Sequence, residues 1–168
     1  MTNRCLLVAF GCVVCAGCEF FTAPPVAERK VGPPLTVRIT GREFEWHIVY
    51  PGPDGEFETP DDVYTKQHLH LPESTPVTVE LFSDDYVYSI YFPHVDLLEM
   101  TFPDHVFSLA FETDEPGEFE LLGTQMCGFV HPNLIGELVV HSTDGFERWQ
   151  ADLGRVPPPS GEKLRDVR

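Results

Sequence analysis

Short stretches of alternating apolar and polar residues run through the middle of the sequence, and each ends at proline, glycine or aspartate. The alternation starts at Leu35 and is repeated from Phe44, where Trp46 and Ile48 share its face. Further strands are predicted at residues 63–71, 77–82, 86–92, 106–112, 117–122 and 136–141. No long apolar stripe of helical period interrupts them. The pattern therefore predicts an all-β fold, either an antiparallel sandwich or a Greek-key barrel.

A short helix is predicted after the last strand. Asp144 is the candidate N-cap, Glu147 completes a capping box, and Gly154 would end the helix. We divide the chain into a signal peptide (1–17), a proline-rich tether (18–34), one β domain (35–143), and a short helix with a flexible tail (144–168).

The N-terminus has the pattern of an export segment. Arg4 precedes an almost wholly apolar run over residues 5–15, which is shorter than the ~20 residues needed to span a bilayer. Ala16, Gly17 and Cys18 resemble the lipobox of bacterial lipoproteins. This resemblance implies that Cys18 is lipidated and that the protein is anchored at the outer face of a bacterial membrane. An ordinary cleaved signal peptide or an uncleaved anchor are the alternatives.

The charge is strongly one-sided. The formal net charge is −16, and residues 43–147 hold 22 acidic residues but one lysine, Lys66. Nucleic acid and anionic lipid surfaces are unfavourable partners for such a surface, whereas a cationic protein would be attracted to it. An acidic surface that serves only solubility is the alternative.

Residues 123–134 carry the clearest signal for a metal loop. Cys127 is the one cysteine beyond residue 18, and His131 follows four residues later. Gly128 lets the backbone curl between them, so that a thiolate and an imidazole could converge on one ion. The alternative is that Cys127 is buried as a small apolar residue and that His131 bonds to the backbone.

Several stretches resemble the exported copper domain of cytochrome c oxidase subunit II. They appear in the family's order, lie within residues 36–150 and occupy residues 41–46, 50–55, 69–72, 83–85, 115–117 and 127–131. The resemblance implies a cupredoxin-like Greek-key β-sandwich and a role in respiratory electron transport. It also implies that Phe44 and Trp46 lie where electrons enter the domain.

The same resemblance implies an incomplete copper site. The family's two bridging cysteines fall on Gly123 and Cys127, its loop histidine on His131, its methionine on Leu134, and its earlier histidine on Tyr88. Two coppers cannot share a bridge with one sulfur, so a binuclear copper A site is not expected.

One copper ion remains a hypothesis, since cysteine with two histidines is the usual ligand set for electron transfer. Cys127 and His131 would need a third ligand, and His94 is the candidate nearest in sequence to Tyr88. His68 and His70 lie two residues apart on a predicted strand, and we interpret them as structural.

Three functions follow. The first is a membrane-tethered cupredoxin that transfers electrons through one copper and receives them from a cationic cytochrome c-like protein. The second is a copper-free structural or docking subunit of an oxidase-like complex. The third is a copper carrier in oxidase assembly. No catalytic motif is recognisable, so the chain is at most an electron-transfer component of an oxidoreductase.

Overall fold

A computed structural model describes residues 31–125 and 128–153. That part of the chain forms ten strands and one α-helix. They are β1 (Leu35–Arg42), β2 (Glu45–Tyr50), β3 (Val63–Lys66), β4 (Leu69–Pro72), β5 (Pro76–Ser83), β6 (Tyr88–Phe92), β7 (Leu97–Thr101), β8 (Phe107–Glu112), β9 (Gly117–Gln125), β10 (Ile135–His141) and α1 (Thr143–Leu153). Short 3₁₀ turns occupy Pro93–Val95 and Pro132–Leu134.

The strands form two five-stranded sheets. The first sheet has the order β3-β2-β1-β5-β8 and the second has the order β4-β10-β9-β6-β7. Neighbouring strands are antiparallel, except that β1 pairs with β5 and β4 pairs with β10 in parallel. The predicted all-β, cupredoxin-like sandwich with a short C-terminal helix is confirmed.

The core lies between the two sheets because each strand turns alternate apolar residues inward. In β5, Val77, Val79 and Leu81 are buried whereas the residues between them are half-buried. From the second sheet, Leu121 and Leu138 pack against the same core. Burial of each such side chain contributes about 1.5–3 kcal/mol to folding.

Two strand predictions were wrong in detail. The single strand predicted at residues 63–71 is two strands in different sheets, because Gln67 has a positive φ of 69° and turns the chain between β3 and β4. Strand β7 was not predicted. It lies at the edge of the second sheet, where Leu98 and Met100 are exposed.

The helix was predicted in the right place with the wrong cap. Ser142 precedes the first turn, its Oγ accepts a bond from the Gly145 N–H at 3.3 Å, and its carbonyl accepts from the Phe146 N–H at 2.9 Å. Asp144 lies in the first turn, where its charge still favours the helix. Phe146 is buried and packs edge-on against Tyr50 of β2, so α1 closes one end of the core.

Several sequence predictions concern residues that the structure does not describe. These are the signal peptide, Cys18, the tether, Gly154 and the tail, together with Cys127. Within residues 31–125 and 128–153, no helix is long and apolar enough to cross a bilayer.

Candidate functional site

The predicted metal loop joins β9 to the turn before β10. Gln125 and Phe129 exchange backbone hydrogen bonds, with N···O distances of 2.7 and 2.9 Å. Gly128 has a φ of 88°, a conformation that favours glycine. The chain therefore reverses its direction between Gln125 and Phe129. Cys127 lies between these two residues in the sequence, outside the described residues.

His131 lies just after the turn and is half-buried. Its Nδ1 accepts a hydrogen bond from the Asn133 N–H at 3.4 Å. Its ring stacks on Phe44 with centroids 5.3 Å apart, and Phe44 stacks at the same distance on Tyr86. The imidazole is thus held by one backbone bond and one aromatic contact.

Tyr88 stands where the resemblance expects a histidine, and it is fully buried. Its hydroxyl donates to Asp85 Oδ1 at 2.7 Å and accepts from the Phe44 N–H at 3.2 Å. Burial, and then the bond to Asp85, raise the pKa of the Tyr88 hydroxyl above its ordinary value. The phenol is therefore neutral at physiological pH, and a neutral phenol is a poor ligand for copper.

Gly123 stands where the resemblance expects the first cysteine, and its neighbours leave no room for a side chain. A Cβ atom there would lie 2.5 Å from the Leu134 carbonyl oxygen and 2.6 Å from Trp46 Nε1. Those two groups are hydrogen-bonded to each other at 3.0 Å, and both residues are fully buried. Trp46 also contacts the Tyr88 ring, with centroids 5.6 Å apart.

The residues present do not fit a binuclear copper centre. Glycine, leucine and a neutral tyrosine occupy three of its side-chain positions, and none of them is a donor of the required kind. The space beside Gly123 is filled by the Trp46 indole and the Leu134 carbonyl. A thiolate at residue 123 would have to displace a buried ring and a stretch of backbone.

His94 lies far from the loop. It is exposed in the turn after β6 and stacks on Phe119, with ring centroids 3.7 Å apart. Phe119 and Gln125 are six positions apart in β9, a rise of roughly 20 Å. The structure therefore does not bring His94 to His131. Among the described residues, no group of three or more His, Cys, Asp or Glu side chains could hold a metal ion.

The two aromatic residues predicted near the point where electrons enter have different surroundings. Trp46 is fully buried, so it cannot contact a partner directly. Phe44 is half-buried between Tyr86 and His131. Of the two, only Phe44 has surface that a partner could reach.

The sequence did not predict the polar network that holds this loop to β2. Glu45 Oε1 accepts from Asn133 Nδ2 at 3.0 Å, and its Oε2 accepts from Lys66 Nζ at 2.5 Å. The Lys66 bond is the main reason that the pKa of Glu45 lies below its ordinary value. Gln67 adds a bond from its Nε2 to the Ile135 carbonyl at 2.7 Å. Such contacts join residues far apart in sequence, and no local pattern signals them.

A histidine pair lies on the far side of the domain, next to α1. His70 Nδ1 and His141 Nε2 are 2.8 Å apart and share a hydrogen bond. Trp149 of α1 stacks on His70, with centroids 4.3 Å apart. Burial, followed by the charges of His141 and His68, lowers the pKa of His70 to about 4. The structural interpretation of His70 agrees with this packing.

The sequence is similar to several proteins that are all named as subunit 2 of an oxidase. The chain is 22% identical over 127 residues to cytochrome c oxidase subunit 2 of Synechocystis sp. The aligned region covers 76% of this chain and 36% of that protein. It is 20% identical over 124 residues to cytochrome bo(3) ubiquinol oxidase subunit 2 of Pseudomonas aeruginosa, which covers 74% and 35%. The match thus spans about a third of the length of these relatives. No protein-family profile matches the chain.

The fold has a solved counterpart. The periplasmic domain of subunit II of cytochrome oxidase from Bradyrhizobium japonicum superposes with a TM-score of 0.60 at 16% identity, covering 71% of this chain and 92% of that domain. The strand arrangement, the order of the matching stretches and these relatives agree with one another. The chain is a divergent, cytochrome c oxidase subunit II-like cupredoxin domain.

Proposed function

We propose that this protein is a docking subunit of an oxidase-type respiratory assembly, and that it keeps the cupredoxin fold of subunit II without the binuclear copper centre. The observation that carries the proposal is the packing at Gly123, where a Cβ atom would lie 2.5 Å from the Leu134 carbonyl. A binuclear centre would need a thiolate at residue 123, where a buried indole and a backbone carbonyl already fill the space.

The contacts around the loop support a role that does not depend on metal. In a copper protein, the ion ties the ligand loop to the sandwich. Here Trp46, Gln67 and Glu45 make hydrogen bonds to Leu134, Ile135 and Asn133. An intramolecular hydrogen bond typically contributes about 0.5–1.5 kcal/mol to stability, and of these three the Trp46 bond is buried. These three bonds hold the segment in place without an ion.

The names of the relatives support a location and a class of partner. The relatives are named as subunits of respiratory oxidases, which supports an exported domain that works beside other oxidase subunits. Lipidation of Cys18 would hold the domain at the outer face of the membrane. The excess of acidic residues would favour a cationic partner, of which a cytochrome c-like protein is one.

A second function rests on the spacing of Cys127 and His131 in the sequence. Gln125 and Phe129 are paired and Gly128 has a φ of 88°, so the chain reverses direction just before His131. A single copper held by Cys127, His131 and a third ligand would make the domain an electron-transfer cupredoxin. A Cu(I) carrier would use the same thiolate.

Copper reconstitution separates these functions. The whole chain is purified, loaded with copper and desalted, and its metal content and visible spectrum are recorded beside Cys127→Ser. We expect less than one copper per chain and no intense visible band in either protein. Two coppers per chain would overturn the proposal. One copper with a thiolate band that Cys127→Ser abolishes would establish the second function, and tight Cu(I) binding without a stable oxidised form would establish the carrier.

Association is tested separately. The tagged whole chain is purified from its own membranes, and we expect a haem-containing oxidase complex to be purified with it. Recovery of the chain without haem would contradict the docking role, whatever the copper result.

A further inference from the structure

The outer face of the second sheet carries an apolar row that crosses four strands. Leu98 of β7 pairs with Tyr91 of β6, Tyr91 pairs with Leu122 of β9, and Leu122 pairs with Ile135 of β10. Paired residues in neighbouring strands project from the same face, so these side chains form one line roughly 14 Å long. Leu98 is 64% exposed and Ile135 is 41% exposed. We call these four residues the apolar row.

The outer face of the first sheet has a different character. Thr36, Thr78 and Ala110 form one row across it. The next row pairs Arg38 with Glu80, whose side chains form a 2.8 Å ion pair. The Arg38 guanidinium also lies 4.1 Å from the centre of the Phe57 ring. That face satisfies its own charges, and exposed apolar rows are thus not a general feature of this sandwich.

Two glutamates lie beside the apolar row. Glu120 of β9 and Glu137 of β10 are directly opposite each other, and both are exposed. With Leu122 and Ile135 they line a shallow depression of about 360 Å³. Like charges opposite each other in a sheet repel, so this pair costs the isolated domain stability.

The second sheet cannot neutralise these charges with cations of its own. No lysine or arginine occurs between Lys66 and Arg148, a span that contains all five of its strands. His68 Nδ1 lies 3.5 Å from Glu137 Oε2. A cation from a second protein would relieve the repulsion between Glu120 and Glu137.

We propose that the apolar row and the glutamate pair form a docking surface for a protein segment that presents an apolar ridge flanked by lysine or arginine. The stem of a long basic side chain can lie on Leu122 and Ile135 while its head reaches Glu120 and Glu137. The row supplies the apolar centre of the contact, and the glutamates select a basic partner. This inference rests on the proposed docking role and names the surface that performs it.

Site-specific photo-crosslinking tests the surface in the native membrane. A photoreactive residue replaces Leu98 in the tagged whole chain, and the matched control places it at Thr78 on the outer face of the first sheet. We expect the Leu98 probe to crosslink one other protein through a peptide that contains lysine or arginine next to apolar residues. The Thr78 probe should not reach that peptide.

Charge reversal supplies the second arm. Glu120→Lys removes the repulsion with Glu137, so its thermal midpoint should be at least that of the wild type. Its crosslink yield should nevertheless fall roughly tenfold, the change expected for about 1.4 kcal/mol of lost binding. A stable variant with reduced crosslinking separates loss of docking from loss of folding.

Four outcomes would overturn the surface: crosslinks to residues 154–168 of the same chain, to a second copy, or to lipid alone, and yields that do not change in Glu120→Lys. The haem content of the purified complex is an independent readout. Retained haem with an unchanged yield refutes this surface and leaves the docking role standing. Absent haem with an intact, charge-dependent crosslink refutes the oxidase assignment and leaves the surface standing.

Discussion

At Gly123, the Trp46 indole and the Leu134 carbonyl occupy the space beside the backbone. The Trp46 indole lies over the glycine and donates to the Leu134 carbonyl, so one buried ring fills the space and pairs a buried polar group at once. The pairing of Ile90 with Gly123 places Tyr88 on the same side of the core. Gly123 and Tyr88, which are not metal donors, both pack against the Trp46 indole and therefore belong to one packing arrangement.

Gly123→Ala tests this packing. The new methyl group would meet the Leu134 carbonyl and the Trp46 ring at about 2.5 Å, and relief requires movement of backbone or of a large buried side chain. We expect a loss of about 1–3 kcal/mol in the free energy of unfolding, measured by urea denaturation. Ser108→Ala, on exposed edge strand β8, is the control and should change stability little. Equal midpoints for both variants would contradict the packing described here.

Trp46→Phe tests the polar half of the same contact. Phenylalanine keeps most of the apolar volume but leaves the Leu134 carbonyl without its donor at 3.0 Å. We expect a loss of about 1–3 kcal/mol, the usual cost of an unpaired buried polar group. Unfolding is followed by tryptophan fluorescence, and Trp149→Phe, which removes the other tryptophan of the chain, is the matched control. A fully stable Trp46→Phe protein would show that the bond is dispensable.

The sequence predicted only part of this site. That Gly123 lacks a thiolate and that Tyr88 is no histidine can be read from the residues and the family resemblance. That Trp46 packs over Gly123 could not be predicted, because it depends on how residues on β2 and β9 meet across the core. The distance of His94 from the loop could not be predicted either, because it depends on where His94 packs along β9.

Among the elements, the junction of β4, β10 and α1 carries a titratable contact. His70 and His141 share a hydrogen bond, and Trp149 covers His70. Other ionisable groups near His70 are His68, whose charge also lowers its pKa, and the buried Tyr50, whose hydroxyl accepts the His70 N–H at 2.8 Å. The packing of the helix on the sheet therefore favours the neutral imidazole.

This junction gives a pH dependence of stability. The pKa of His70 is about 4 in the folded state, below the ordinary value of about 6.5 in an unfolded chain. Between these values the unfolded state binds a proton that the folded state does not, so stability is full above about pH 6.5 and is lost as the pH falls towards 4. His47, whose pKa burial and the Arg42 charge also lower to about 4, acts in the same direction.

His70→Phe keeps an aromatic ring under Trp149 and removes the titration. We expect its thermal midpoint to fall less than that of the wild type between pH 7 and pH 5, as followed by circular dichroism. The exposed His105 is the control site, and His105→Gln should behave as the wild type does. If His70→Phe follows the wild-type profile, the pH dependence arises elsewhere.

Most strands could be predicted because alternation and turn residues act locally. Strands β8 and β10 differ from their predicted bounds by one residue at one end, and β5 is one residue longer at each end. The break between β3 and β4 could not be predicted, since Gln67 is not a residue type that favours a positive φ. Strand β7 was missed because its apolar residues do not mark a buried face. Leu98 and Met100 are exposed, whereas the apolar residues of a core strand are the buried ones.

For the whole molecule, electrostatic repulsion opposes compactness. The chain carries a formal net charge of −16, and its acidic excess comes from the residues that form the sandwich. Charges of one sign on a small surface repel, and salt screens them over a Debye length of about 10 Å at 0.1 M. We therefore expect the domain to be more stable in salt than in dilute buffer.

Thermal unfolding at constant pH checks this expectation. We expect the midpoint to rise as sodium chloride increases from low to physiological concentration, by about 3 °C for each kcal/mol gained. Glu120→Lys should reduce the dependence because it makes the net charge less negative and removes one repulsive pair. A midpoint that falls with added salt would mean that favourable ion pairs, such as Arg38 with Glu80, dominate instead.

The parallel pairing of β4 with β10 affects how the chain is made. Leu69 pairs with Leu138, so β4 receives this neighbour only after the strands between them have been synthesised. Sandwiches built from such distant pairings fold in milliseconds to seconds, and until β10 arrives the open edge of β4 can pair with other chains. A nascent chain that folds before β10 has been synthesised is thus at risk of aggregation. Delaying folding until β10 is available would avoid this risk.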